Sequence, residues 1–237
     1  CNTDLTLTPS DEWISVSVEE DKMNITLTEN NTGHLRRGSI AYKAGTNEDK
    51  ITITQYDFEK DIAGEYMFLF TNAESGALQY LDATLSKTGN AYSIELTGLG
   101  FSIPVTYNKT NGDLTLKAGQ YIGDYDAYKV HTTLWDTKEG YLTWDTSISM
   151  SGSFEYVEED GVGYTIALIE DDGSWGSYHP DAIRVEAFKS TTLSSSTRVG
   201  SLLSLIDPYL QRAHAGEAIT YKMAKTPVKA NVEFLLK

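Results

Sequence analysis

The side chains best suited to chemistry in this sequence are aromatic rings set among carboxylates, hydroxyls and imidazole. The densest set lies in the segment 171–181, DDGSWGSYHPD, where Trp175 and Tyr178 alternate with Gly and Ser and are followed by His179 and Asp181. A flat ring stacks on the C–H face of a sugar, and neighbouring polar groups then hydrogen-bond the sugar hydroxyls. A tryptophan ringed by Gly and Ser has little near it in sequence to bury it, so the segment reads as a loop whose rings touch a ligand. The competing role for Trp175 is a plug folded over a barrel end. Two further aromatic segments stand beside it. Trp135 and Trp144 each occur in a Trp-Asp-Thr tripeptide, and Tyr121, Tyr125 and Tyr128 crowd the segment 119–128, GQYIGDYDAY, read as a loop. Cross-strand packing is the structural alternative for the tryptophans. The expected ligand-binding residues are therefore Trp175, Tyr178, His179, Asp181, Trp135 and Tyr125.

Catalytic patterns are weak. His34, His131, His179 and His214 are far apart and lack the spacing of a zinc motif, and no nucleophile elbow, phosphate loop or dinucleotide fingerprint is present. Asp124 with Asp126, or Glu170 with Asp172, has the chemistry of a glycosidase pair. With 34 acidic residues in the chain, such pairs arise by chance. Glu158, Glu159 and Asp160, or Asp171 and Asp172, offer oxygens to calcium but not the ligand ladder of a calcium loop. The expectation is a binding protein rather than an enzyme, with no catalytic residue, no metal and no cofactor.

The elements that must position these rings read as strands. Tyr128, Val130, Thr132 and Leu134 alternate with Lys129, His131, Thr133 and Trp135, a period of two. Residues 136–140 supply a turn ending in Gly140, and 141–144 resume β-prone composition. The chain of 237 residues carries a formal charge of -15, which repels nucleic acid and anionic lipid alike. No run approaches the roughly 20 apolar residues of a membrane helix; the longest is 66–70. The single cysteine, Cys1, has no partner for an internal disulfide. It reads either as a lipid-bearing lipoprotein cysteine or simply as the first residue of this sequence.

Residues 1–56 read as a small β-sandwich. Ile14, Val16 and Val18, then Met23, Ile25 and Leu27, then Ile40 and Tyr42, then Ile51 and Ile53 each mark a strand. Trp13-Ile-Ser-Val16, Asn31-Thr32-Gly33, Arg37-Gly38-Ser-Ile40 and Ile51-Thr-Ile-Thr-Gln55 follow one another in an order and spacing that resembles the BACON domain of Bacteroidetes surface proteins. The resemblance implies an immunoglobulin-like sandwich in a polysaccharide-handling protein, acting as a carbohydrate binder or a spacer. The family carries a further strand before the position of Asn2, so the domain is expected to lack its first strand, or the protein to extend before Cys1. Trp13 is expected in the core.

After the charged connector 57–63, a second domain is expected over 64–237. Tyr66 to Phe70 is apolar on both faces, and hairpin-sized segments follow at 78–86, 91–97, 101–107, 114–118, 151–157, 164–169 and 183–188. Sequential hairpins point to an antiparallel barrel. Gly64-Glu-Tyr66 resembles the Gly-x-Trp opening of lipocalin-like (calycin) barrels. Val199, Leu202, Leu203, Leu205, Ile206 and Leu210 are spaced as in a helix over 196–212, interrupted at Asp207-Pro208. Strands over 218–223 and 228–236 close the chain. The fold class is thus all-β: a BACON-like sandwich plus a larger barrel with one C-terminal helix. The expected function is carbohydrate binding in glycan utilisation, on a protein secreted or anchored at the outer membrane. A lipocalin-like binder of a small apolar ligand and a structural protein are the alternatives. Carbohydrate is the expected partner, nucleic acid is not, and contact with membrane would come only through lipid on Cys1; the oligomeric state stays open.

Overall fold

The computed structural model describes residues 5–20, 22–214 and 227–232. Cys1 and the strand expected over 218–223 lie outside them. The chain divides into two compact units, one up to Ile62 and one from Ala63.

The first unit holds β1 (Leu5–Pro9), β2 (Ile14–Glu19), β3 (Lys22–Leu27), β4 (Arg36–Ala44) and β5 (Asn47–Gln55), followed by one π-helical turn over Phe58–Ile62. Strands β1, β4 and β5 make one antiparallel sheet and β2 and β3 another, with Ile14, Leu35 and Ile40 buried. The strand at β1 was passed over in the sequence because Leu5 and Leu7 alone carry its alternation. Trp13 is half-buried rather than a core residue, since one face is covered by the Arg36 guanidinium, 4.4 Å from the ring centroid. That guanidinium donates from Nε and Nη2 to Gln55 Oε1 at 2.8 and 2.6 Å, and from Nη2 to the Thr28 carbonyl at 2.8 Å. Gly38 lies beneath: a Cβ there would stand 2.8 Å from the Trp13 ring and 2.6 Å from Ile14. The Trp…Arg…Gly…Gln order of the sequence is therefore one packed knot.

The second unit contains β6 (Gly64–Asn72), β7 (Leu78–Thr88), β8 (Ala91–Leu96), β9 (Phe101–Tyr107), β10 (Asp113–Lys117), β11 (Tyr121–Tyr125), β12 (Tyr128–Asp136), β13 (Tyr141–Thr143), β14 (Ser149–Glu159), β15 (Val162–Leu168), β16 (Glu170–Asp171), β17 (Ala182–Phe188), β18 (Arg198–Ala213) and β19 (Val228–Lys229). Eight of them, in the order β6-β7-β8-β9-β10-β14-β15-β18 and back to β6, form a closed antiparallel barrel. Closure leaves these strands no free edge. A barrel of this size is just wide enough for side chains to fill, and rings fill it here. Tyr66 on β6 meets Phe154 on the non-adjacent β14 at 6.0 Å between centroids, and Tyr107 meets Phe154 at 6.5 Å. Phe68, Phe70 and Phe101 are fully buried.

The remaining strands form a wing. The first half of β18 pairs with β17, β17 pairs with β12, and β12 carries β11 and β13 along its other edge. Two sequence expectations are corrected here. The segment 119–128 is not a loop: Tyr121–Tyr125 is a strand, turned through Asp126, whose φ is 50°. The helix expected over 196–212 is the 16-residue strand β18. Its register slips twice against β17, between Leu203 and Ser201 and between Gly200 and Arg198, and once against β6, between Ile206 and Tyr209, where Asp207 has φ 49°. Each bulge shifts the side-chain alternation by one residue. The apolar residues therefore fall at spacings that imitate a helix although the backbone is extended. Of the last expected strand, Val228–Lys229 pairs in parallel with β7.

Candidate functional site

The hairpin of β12 and β13 turns through residues 137–140, where Gly140 has φ 76° and its N–H donates to the Asp136 carbonyl at 2.8 Å. Asp136 is buried and does more than turn the chain. Its Oδ1 accepts the Glu139 N–H at 2.9 Å and its Oδ2 the His179 N–H at 3.0 Å. These donors, His179 first, hold its carboxyl below the usual carboxylate range. Asp181 returns the tie: its carboxylate accepts the Thr137 N–H at 2.9 Å and the Thr137 hydroxyl, and its own N–H donates to the Trp135 carbonyl at 3.1 Å. Two carboxylates thus fasten the 172–181 loop to the hairpin turn.

The loop's other foot is fastened to β14. Ser149 N–H donates to Ser174 Oγ at 2.8 Å, and the Ser149 hydroxyl donates to Asp172 at 2.6 Å. Burial pushes the Asp172 carboxyl up, but the donors Ser149 and Ser174 outweigh it and the net shift is downward. Gly173 and Gly176 have φ of 77° and 70°, conformations that a side chain would strain.

The consequence is a row of rings. Trp175 and Tyr178 meet at a tilt of 46° with centroids 5.1 Å apart, and Tyr178 meets Tyr141, the first residue of β13, at 4.7 Å. Trp175 and Tyr178 are half-buried and Tyr141 is 53% exposed, so the row is partly open to solvent. His179 is exposed beside it, with Nδ1 2.7 Å from Asp171 Oδ2. His179 and Asp171 also border a cleft of about 490 Å³ whose wall is Leu168, Ile169, Pro180, Pro208 and Tyr209. Burial pushes the Tyr209 phenol up to about 12, so it stays a hydrogen-bond donor. Across the cleft, Asp207 is raised, by partial loss of solvent and then by the Asp181 charge.

Of the six residues expected from sequence, Trp175, Tyr178 and His179 come together. Asp181 is beside them, but both its oxygens are engaged by Thr137. Trp135 stands apart: it opposes Leu142 across the hairpin, and the Arg184 guanidinium lies 4.9 Å from its ring centroid. Tyr125 pairs with Tyr128 at the far end of β12 from Asp136, roughly 26 Å along the strand. Trp144 packs edge-on against Phe188 at 5.9 Å. Tyr141 was missed. Its only sequence signal is a tyrosine directly after a turn glycine, and its meeting with Tyr178 depends on the long-range ties of Asp136 and Asp181.

The acidic pairs have other duties. Asp124 is ion-paired to Lys129 at 2.8 Å, which with the Tyr121 hydroxyl holds its carboxyl low. Among the described residues no three His, Cys, Asp or Glu side chains converge to hold a metal ion.

Comparison with known proteins adds two family matches. Residues 3–56 match the BACON family, described as "Putative binding domain, N-terminal". Residues 45–174 match a second family, described as a domain of unknown function. That span begins before β5 and ends at Ser174, so Trp175, Tyr178, His179 and the strands β17 and β18 lie past it. No curated protein and no solved structure matches the chain. The second family covers more than half of the 237 residues, and the chain therefore belongs to the DUF4987 family.

Proposed function

We propose that this protein is a non-catalytic carbohydrate-binding protein, secreted or anchored at the cell surface, that grips polysaccharide with the ring row Trp175, Tyr178 and Tyr141. The observation carrying the reading is the row itself: three aromatic side chains from two separate segments, held by buried and half-buried carboxylates and open to solvent. Preorganised rings lose little conformational entropy on binding, which is why such anchors dominate affinity. His179 and Asp171 at the flank supply polar partners for sugar hydroxyls. The match of residues 3–56 to a family of binding domains supports a binding role for the whole chain.

The alternative, a lipocalin-like carrier of a small apolar ligand, has less support. The ring contacts between Tyr66, Tyr107 and Phe154 cross the barrel interior where such a ligand would sit. A glycan array probed with the full chain tests the proposal. The expected result is binding to a defined group of poly- or oligosaccharides that is lost on Trp175→Ala. An array without signal, or one unchanged by that substitution, would overturn it.

A further inference from the structure

A second cleft, of about 400 Å³, lies where the ends of β6 and β7 face the first half of β18. Its lining includes Trp135 and Arg184, with Gln79, Ser201 and Ser204 among the polar groups. The Arg184 side chain is fixed at its Nε, which lies 3.2 Å from Glu186 Oε1 and donates to Ser201 Oγ at 3.3 Å, and its guanidinium lies over the Trp135 ring. The two terminal nitrogens have no hydrogen-bond partner among the described residues.

The charge count around it is unbalanced. Glu186 is fully buried, and Arg198 already engages both its oxygens, Nε to Oε2 at 2.8 Å and Nη2 to Oε1 at 3.1 Å. Two guanidinium groups thus share one carboxylate, leaving one positive charge over in a chain whose net charge is -15. Burial pulls the Arg184 guanidinium below its ordinary pKa, with Glu186 opposing, and an anion in the cleft would offset that loss of water. The rim has one acid, the exposed Glu74. A fixed fork with free terminal nitrogens matches a carboxylate, which takes two parallel hydrogen bonds from Arg.

We propose that this cleft is a second ligand site and that it takes a carboxylate-bearing sugar, a uronic acid unit. Arg184 would clamp the carboxylate, Trp135 would border the ring, and Gln79 and Ser204 would meet hydroxyls. The sugar part of this assignment rests on the glycan reading above; the carboxylate part rests on Arg184 alone.

The test is calorimetric titration of the full chain with trimers of galacturonate, glucuronate and mannuronate, and with galactotriose as the neutral counterpart. Expected is binding of at least one uronate trimer, with galactotriose weaker by at least about tenfold, the value of losing a charged hydrogen-bond pair. Arg184→Gln and Arg184→Lys should both weaken the uronate by at least about tenfold. The lysine variant keeps a cation beside Glu186 and so guards against simple unfolding, checked by thermal melts. Galactotriose binding equally well, Arg184→Lys binding like wild type, or no uronate bound at millimolar concentration would each overturn the proposal. Failure of the ring-row reading looks different: Trp175→Ala would then leave neutral glycan binding intact.

Discussion

Asp207 is where the barrel, the wing and the apolar cleft meet. Its φ of 49° belongs to the left-handed region, and its N–H donates to the Asp181 carbonyl at 2.8 Å. Its carboxyl makes no such contribution: partial loss of solvent and the Asp181 charge both raise its pKa. An acid whose folded pKa lies above its unfolded value costs stability once the pH passes the unfolded value, about 4. The cost is complete above the folded pKa and vanishes below about pH 4. Asparagine tolerates the same backbone region and carries no charge. Asp207→Asn should therefore raise Tm slightly at pH 7, with the gain disappearing in melts taken near pH 4. An unchanged or lower Tm at pH 7 would show that the charge is not a burden. The roles of Asp136 and Asp181 were only half legible in sequence. Asp181 stood out as a polar residue of the aromatic loop and Asp136 only as the start of a turn, and that each caps the other's loop depends on pairing between β12 and β17.

Among the elements, β14 has a constraint that its sequence hides. Gly152 sits where β14 leaves β10 for β15, and a Cβ there would overlap the carbonyl oxygen of Leu168 and stand 2.8 Å from its carbon. Both are backbone atoms, so no rotamer change relieves the clash. Gly152→Ala should cost about 2 kcal/mol or more in urea unfolding, at the upper part of the overpacking range. Gly140 is the contrast, a glycine with φ 76° and nothing within 4 Å of its added Cβ. Gly140→Ala should cost only the left-handed penalty of about 1 kcal/mol. An equal cost at the two positions would mean that the approach of Leu168 to Gly152 is not as tight as described. The β12–β13 hairpin was legible because its alternation is local and unbroken from Tyr128 to Trp135. Strand β18 was not, because three bulges interrupt its alternation and a Pro in its middle suggested a broken helix. Proline fits there because it sits at the bulge beside Asp207.

At the scale of the molecule, the all-β class and the barrel followed from one feature, a series of hairpin-length apolar segments separated by Gly and Asn turns. The wing did not follow, since β12 and β17 look like further barrel strands until their partners are known. The candidate site was legible in its aromatic loop and illegible in Tyr141 and Arg184, residues whose meaning comes from neighbours more than 30 positions away. The strong negative charge argued against nucleic acid as a partner but hid a place where two arginines converge on a single carboxylate.

The ring row is the centre of this account, and calorimetric titration of wild type and Trp175→Ala with a glycan selected from the array tests it most directly. Loss of a stacking anchor of about 2 kcal/mol corresponds to roughly 30-fold weaker binding. The variant's melting temperature should stay close to wild type, because Trp175 lies in a loop and its ring is half exposed. Wild-type affinity in Trp175→Ala, or a melt shifted far downward, would contradict the account and make the ring row a structural plug.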